Sequence, residues 1–233
     1  MSNKRASQDR KARLAEIQKQ QKAKERKVVA GIVVGCVVLL VALAGVVGFA
    51  INDARGKQLP NLGVSLAAAK CGQVTDDGQG GSQEHVGPGT QKPDEITVKY
   101  DTVPPSHGAH FVQPDISGRD FYTASDRPVV ETLVHNLEHG YTILWYDASK
   151  VKDTALLKDV AKQADKLSQS SGKFKAVAWD ESRGKLPAGT PYVMSHWGTD
   201  GGHRQFCENL SGAAVVDFVK KFPSSDAPEP NGM

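Results

Sequence analysis

Two close pairs of histidines are the residues of this chain whose types and spacing best suit chemistry. His135 and His139 are four residues apart, so on a helix both imidazoles lie on one face and can point at one metal ion. Glu138, the neighbour of His139, is suited to act as a third ligand, a proton acceptor or a partner that fixes a histidine tautomer. The second pair, His107 and His110, lies in a loop that begins with two prolines.

A structural role for the same histidines is the main alternative at this point. His135 stands among leucines and valines, and imidazoles in such surroundings often anchor a loop through hydrogen bonds. On this interpretation the helical pair holds the loop of His107 and His110 against the helix. His196 is predicted to be structural, at the end of a strand.

Enzymatic activity has little support in the sequence. Residues 135–139, His-Asn-Leu-Glu-His, match the H-x-x-E-H pattern of inverted zinc peptidases. A five-residue match arises by chance, and those enzymes need a larger framework with a distant third ligand. The chain has no glycine-rich phosphate loop, no G-x-S-x-G elbow and no Cys-x-x-Cys. These motifs do not decide whether the protein is an enzyme, and they favour a binding function.

Three cysteines divide between two environments. Cys36 lies in a long apolar run, whereas Cys71 and Cys207 follow it. We expect Cys71 and Cys207 to form a disulfide, because both are predicted to lie outside the cytoplasm, where disulfides persist. The alternative is that Cys207 binds a metal together with His203, four residues earlier.

The apolar run that contains Cys36 predicts a transmembrane helix over residues 28–51. These 24 residues carry no charged side chain, and about 20 apolar residues suffice to cross a bilayer. Residues 1–27 contain ten Lys or Arg against three Asp or Glu. Because basic flanks stay cytoplasmic, we expect a single-pass protein of the cell membrane with its N-terminus inside and residues 52–233 outside. A cleaved signal peptide is the alternative, although the run is longer than its usual apolar region.

The charge distribution also bears on partners. The whole chain carries a net charge of +3 and residues 1–27 carry +7, so the remainder carries −4. This acidic remainder disfavours nucleic acid as a partner. The basic segment is expected to be a cytoplasmic tail held near anionic membrane lipid.

Composition and periodicity predict the organisation of the part beyond the span. Residues 52–95 are rich in Gly, Asp, Gln and Pro and are predicted to be a flexible stalk. Residues 96–222 are predicted to be the globular extracytoplasmic domain, and residues 223–233 a disordered tail. No internal repeat is present.

Strands and helices alternate in the predicted domain, which favours an α+β fold, a mixed α/β sandwich. The predicted strands are 96–101, 141–147, 173–180 and 190–198. The predicted helices are 127–140, 153–169 and 211–222. Gly140 suits a left-handed C-cap of the first of these helices.

Two motifs together resemble a known family. Residues 103–111, Val-Pro-Pro-Ser-His-Gly-Ala-His-Phe, and residues 134–140, Val-His-Asn-Leu-Glu-His-Gly, are followed by a strand that ends in Trp-Tyr. This pattern resembles the uncharacterised domain family 3105, a domain of unknown function found mainly in actinobacteria and commonly behind one membrane span. The resemblance covers roughly residues 70–147, with weaker similarity to the C-terminus. Cys71-Gly72 and His85 resemble family positions before the first strand.

The resemblance implies a set of residues that act together: His85, His110, His135, Glu138 and His139. His107 stands where the family usually has a small residue. Genes of the family often accompany copper-related proteins, which favours a transition metal.

We therefore expect a membrane-anchored extracytoplasmic domain that binds copper or zinc, since imidazole suits both. The alternative is a non-catalytic accessory subunit of a cell-envelope or respiratory membrane complex. Its histidines would be structural, and its partner would be another membrane protein.

Overall fold

The computed structural model describes residues 2–79 and 83–232. It divides the chain into two compact units, Met1–Arg55 and Gly56–Met233. Residues 80–82, within the predicted stalk, and residues 1 and 233 lie outside the described residues.

The first unit is one long helix, α1 (Ser2–Gly56), which runs through both the basic tail and the predicted span. The stretch Arg13–Gly56 contains a segment long and apolar enough to cross a membrane. Its large apolar side chains are exposed, for example Leu39 at 65 % and Phe49 at 76 %.

The second unit is built on a six-stranded sheet in the order β1-β8-β7-β5-β6-β4. Its strands are β1 (Thr75–Asp76), β4 (Phe121–Tyr122), β5 (Thr142–Tyr146), β6 (Phe174–Ala178), β7 (Tyr192–Gly198) and β8 (Gly201–Cys207). Strands β4, β6 and β5 are parallel neighbours, and the β5–β7, β7–β8 and β8–β1 pairs are antiparallel. A separate parallel pair joins β2 (His85–Val86) to β3 (His110–Phe111).

Helices cover both faces of this sheet. They are the short α2 (Leu66–Ala69), α3 (Val130–Glu138), α4 (Thr154–Asp165) and α5 (Gly212–Lys221). On β5, Ile143 and Trp145 pack in one apolar cluster with α3, while Leu144 and Tyr146 pack in the other with α4 and α5. Successive side chains of a strand point to opposite faces. Because both faces of β5 are buried, its sequence is apolar at nearly every position. The predicted α+β fold is therefore confirmed as a mixed sheet between layers of helices.

The predicted strand over residues 96–101 was wrong. No strand forms over these residues, and side chains rather than a neighbouring strand use the backbone polar groups of Val98. The Val98 N–H donates to Glu131 Oε1 at 2.8 Å, and the Val98 carbonyl accepts from the Arg183 guanidinium at 2.8 Å. Alternation in the sequence reports a half-buried extended chain, and it cannot tell which groups satisfy that chain's hydrogen bonds.

Strand β8 was missed because its sequence, Gly-Gly-His-Arg-Gln-Phe-Cys, begins with two glycines and shows weak alternation. It forms a tight hairpin with β7, in which Gly198 pairs with Gly201. The strand brings Cys207 beside Cys71, and the structure joins them in the predicted disulfide.

The predicted flexible stalk over residues 52–95 is corrected by the structure. From Gly56 onward this segment belongs to the compact unit, and Leu59 and Ala69 are buried in its core. Asp77 forms a two-pronged pair with Arg204, with Nε–Oδ2 at 2.6 Å and Nη2–Oδ1 at 2.7 Å. The glycines and aspartates of residues 52–95 therefore form turns and ion pairs on the surface of the domain, and the segment is not a spacer.

The predicted disordered tail is also corrected. Residues 223–232 lie against the domain, with Ser224 and Ala227 buried. Gly140 explains part of this contact: it has φ +87°, and a Cβ there would collide with the Ser224 carbonyl. A glycine at this helix end thus provides both the predicted left-handed cap and room for the C-terminal segment.

Candidate metal centre

Three elements, two short strands and one helix, bring the candidate ligands together. In the β2–β3 pair His85 lies directly opposite His110. Helix α3 carries His135 and Glu138, and His139 is its C-cap residue. Spacings of three and four residues place all three α3 side chains on neighbouring positions of one helix face.

Four of the predicted residues converge on one small volume. The ligand atoms of His85, His110, His135 and Glu138 all lie within 4.8 Å of one another. His110, Glu138 and His135 are only 0 %, 1 % and 5 % exposed, whereas His85 is exposed. Buried groups of this polarity need partners, because burying them unpaired is costly.

Backbone carbonyls fix the tautomer of three of these histidines. In each case the ring Nδ1 lies within hydrogen-bond distance of a carbonyl oxygen, which can only accept. The pairs are His110 with Gly108 at 2.7 Å, His135 with Phe111 at 2.6 Å and His139 with Glu229 at 3.1 Å. Each Nδ1 therefore carries the hydrogen, and in a neutral ring the Nε2 lone pair is free to bind.

Those Nε2 atoms face other electron-rich atoms. His135 Nε2 lies 2.7 Å from His139 Nε2. His110 Nε2 lies 3.0 Å from Glu138 Oε2, and within the described part of the chain neither of these two buried atoms has a well-directed hydrogen bond. Lone pairs held this close repel one another, so the cluster requires a positive charge, supplied either by a proton or by a metal ion.

Burial disfavours a proton on His135. Burial first, and then the neighbouring His110 and His139, lower the pKa of His135 to about 4. Burial acts to raise the pKa of Glu138, but His110 beside it, followed by the other imidazoles, holds that pKa below its ordinary value. At neutral pH the cluster thus offers a neutral His135 and an ionised Glu138, which is the protonation that metal binding requires.

The donor set fits a transition-metal ion. Metal-bound histidines commonly donate the other ring N–H to a backbone carbonyl, and three histidines do so here. With metal–nitrogen bonds of about 2 Å, two bound imidazole nitrogens lie about 2.9 Å apart at the right angle of a tetragonal Cu(II) site and about 3.3 Å apart at the tetrahedral angle of zinc. The separation of 2.7 Å between the His135 and His139 Nε2 atoms is closer to the first value.

The predicted ligand His139 is not part of this group of four, although its Nε2 contacts that of His135; it belongs to a second group of possible ligands, which shares Glu138 with the first. The second group consists of Glu138, His139 and Glu229, the last of which belongs to the C-terminal segment. Glu229 Oε2 lies 3.8 Å from His139 Nδ1, but that nitrogen already donates to the Glu229 carbonyl. The pairing therefore suits a positioning contact better than a second coordination site.

The structure places the other candidate residues outside this cluster. His107 is buried and lies 5.8 Å from Trp197 between ring centres, and it belongs to neither group of ligands. The proposed pair of His203 and Cys207 was wrong, because Cys207 is in the disulfide and His203 Nε2 contacts Asp200 Oδ1 at 2.8 Å. His203 and Cys207 lie in a strand, where residues four apart are separated by roughly 13 Å. In a helix the same spacing would place them on adjacent turns.

His196 is fully buried, as expected for a structural histidine. Its Nε2 bonds the Asp226 carbonyl at 3.1 Å.

Residues that support the centre were missed by sequence analysis. Glu229 lies in a Pro-rich terminus that carries no sign of a contact with α3. Lys173 donates to the His139 carbonyl at 2.8 Å and to the Pro230 carbonyl at 2.7 Å. Both contacts join segments distant in sequence, so no local spacing signals them.

The fold and the cluster define a class: an α+β domain with a buried histidine–carboxylate group that could hold a metal ion, preceded in the chain by an apolar helix. Within that class, the chain belongs to the family described as a protein of unknown function (DUF3105), whose model matches residues 91–233. This confirms the resemblance. The match begins after Cys71 and His85 and includes the whole C-terminal part. Comparisons with curated proteins and with solved structures found no match.

Proposed function

We propose that this protein is a membrane-anchored domain that binds one transition-metal ion, copper or zinc, outside the cytoplasm. His110, His135 and His139 are the core ligands, and Glu138 and His85 complete the set. The observation that carries this proposal is the contact between the Nε2 atoms of His135 and His139 at 2.7 Å while both Nδ1 hydrogens are committed to carbonyls.

The proposed location rests on two further features. The apolar stretch within Arg13–Gly56 follows a segment rich in Lys and Arg, a charge bias typical of a cytoplasmic flank. The disulfide between Cys71 and Cys207 suits an oxidising compartment. Together they support an N-terminus in the cytoplasm and a domain outside it.

The chemistry of the ligands supports Cu(II) or Zn(II). Imidazole and carboxylate suit both ions, and the cluster contains neither a thiolate nor a thioether. Cys71 and Cys207 form a disulfide with each other, so neither supplies a thiolate ligand. Glu138 is only 1 % exposed and lies 3.0 Å from His110, so it suits a ligand better than a general base.

The test measures bound metal in the full chain, purified in mild detergent from an oxidising compartment. Mass spectrometry should find close to one copper or zinc ion per chain after loading with Cu(II) or Zn(II) separately. The His135→Ala/His139→Ala variant should lose the ion while circular dichroism shows an intact fold. A matched control, His203→Ala, removes a histidine outside the cluster and should keep the ion.

If the loaded wild type binds neither ion, the metal-binding function is refuted. The positive charge between the facing imidazoles is then a proton, and the cluster is structural, as expected of an accessory subunit. Stoichiometric membrane-protein partners in gentle detergent extracts would support that second role.

A further inference from the structure

The C-terminal strap, defined as residues 223–232, makes specific contacts with the end of α3. The Glu229 N–H donates to the Glu138 carbonyl at 3.1 Å, and the Glu229 carbonyl accepts from His139 Nδ1 at 3.1 Å. Gly232 packs so closely on the His139 imidazole that a Cβ at this position would collide with the ring. Thus the strap contacts the backbone of one candidate ligand and the side chain of another.

One ammonium group fastens the strap to the same helix end. Lys173 Nζ donates to three carbonyls: His139 at 2.8 Å, Pro230 at 2.7 Å and Gly232 at 3.3 Å. A lysine ammonium has three N–H donors, so these acceptors account for all of them. Lys173 therefore links the backbone of His139 to two residues of the strap, Pro230, which follows Glu229, and Gly232, which packs on the imidazole.

On the basis of the metal-binding function proposed above, we infer that Lys173 and the strap position His139. The Glu229 carbonyl keeps the hydrogen on Nδ1, and Lys173 holds the neighbouring strap residues through the Pro230 and Gly232 carbonyls. The Nε2 lone pair of His139 is thereby aimed at His135 and the ion. Lys173 touches no ligand atom, so it acts as a positioning residue through His139.

The experiment uses the full chain in detergent with two alterations of the strap. Lys173→Met keeps the length of the side chain but removes its donors, and deletion of residues 229–233 removes the carbonyl that His139 contacts. Lys162→Met, at an exposed position of α4, is the matched control. We expect both alterations to weaken Zn(II) or Cu(II) binding by about tenfold to a hundredfold, as changes behind a ligand usually do, and the control to be neutral.

A double-mutant cycle separates positioning from general damage to the fold. If Lys173 acts through His139, then Lys173→Met should cause no further loss of affinity in a His139→Ala background. Equal losses in both backgrounds would overturn the inference, as would wild-type affinity in both altered chains.

A metal-free measurement keeps this inference distinct from the proposed function. Long-range ¹H–¹⁵N spectra of ¹⁵N-histidine-labelled chain report which ring nitrogen carries hydrogen. The Nδ1–H form of His139 should dominate in the wild type and be lost in Lys173→Met and in the deletion. That result supports the positioning role even if the chain binds no metal, and an unchanged tautomer in both altered chains refutes it.

Discussion

His85 and His110 lie opposite each other in the β2–β3 pair, with ring centres 4.9 Å apart, yet only His110 is fully buried. The exposed imidazole of His85 therefore lies between the buried ligands and solvent on that side. A ligand that can move into solvent is the one most easily replaced by water or by a competing donor. In the proposed metal site, His85 is thus suited to control how fast the ion exchanges.

Replacing His85 by alanine should change the rate of metal release more than the amount bound. His110, His135, Glu138 and His139 remain, so the loaded His85→Ala chain should still bind close to one ion. We expect release to an excess of chelator to be about tenfold faster, since a ligand change of this kind commonly costs that factor. The measurement is stopped-flow absorbance with a chromogenic chelator.

His107→Asn serves as the comparison for this experiment. His107 lies in the same loop as His110 but outside both groups of possible ligands, so release should match the wild type. Metal loss in His107→Asn together with normal release in His85→Ala would reverse the assignment of the two histidines.

Removing the charge of Glu138 should weaken binding while keeping the shape of the site. Glu138→Gln retains one oxygen and the side-chain volume but loses the negative charge that lies 3.0 Å from His110. We expect affinity for Zn(II) or Cu(II) to fall by at least about tenfold, measured by competition titration. Glu208→Gln, at an exposed carboxylate, is the control, and equal affinities in the two variants would exclude Glu138 as a ligand.

The histidines of α3 could be predicted from the sequence because their relation is local. A helix fixes the relative positions of residues three and four apart. A correct prediction of the helix was therefore enough to place His135, Glu138 and His139 near one another. The convergence of His85 and His110 was indicated by the family resemblance alone, since strand pairing across distant segments leaves no periodic trace.

The support around the cluster could not be predicted for a related reason. Gly232 and Glu229 contact His139 only through the tertiary structure, and their sequence is indistinguishable from that of a disordered terminus. The buried Glu131 likewise takes the Val98 N–H that a neighbouring strand was expected to bind. Satisfaction of backbone groups by distant side chains is a property of the tertiary structure.

The disulfide should contribute strongly to the stability of the domain. Cys71 and Cys207 are 136 residues apart in sequence, and closing a loop of that length stabilises by roughly 5 kcal/mol in the chain-entropy account. The Cys71→Ser/Cys207→Ser chain should unfold at lower urea concentration, followed by tryptophan fluorescence in detergent. Cys36→Ser, in α1, is the matched control and should leave the midpoint unchanged.

The loss expected from this double substitution is an upper value. Asp77 still pairs with Arg204 on β8 and holds the same segment to the sheet after the disulfide is removed. A midpoint equal to that of the Cys36→Ser control would mean that these polar contacts suffice and that the disulfide is dispensable for stability.

His196 should make the stability of the domain depend on pH away from the metal centre. Burial lowers the pKa of His196 to about 4, with a smaller lowering effect of His203, although Asp226 acts to raise it; an exposed histidine titrates near 6.5. The unfolded chain therefore takes up the proton first as pH falls, so the stability linked to His196 is full above about pH 6.5 and is lost towards pH 4. The loss is on the order of 3 kcal/mol.

The measurement compares urea unfolding of wild type and His196→Gln, both metal-free, at several pH values from 8 to 4.5. Glutamine keeps hydrogen-bonding groups near the Asp226 carbonyl but does not titrate. The wild type should lose more unfolding free energy than the variant as pH falls, with the difference growing mainly below about pH 6.5. Parallel curves would show that His196 is protonated equally in the folded and unfolded chains, and the acid sensitivity would then have to come from other buried groups, with His135 the first to test by the same substitution.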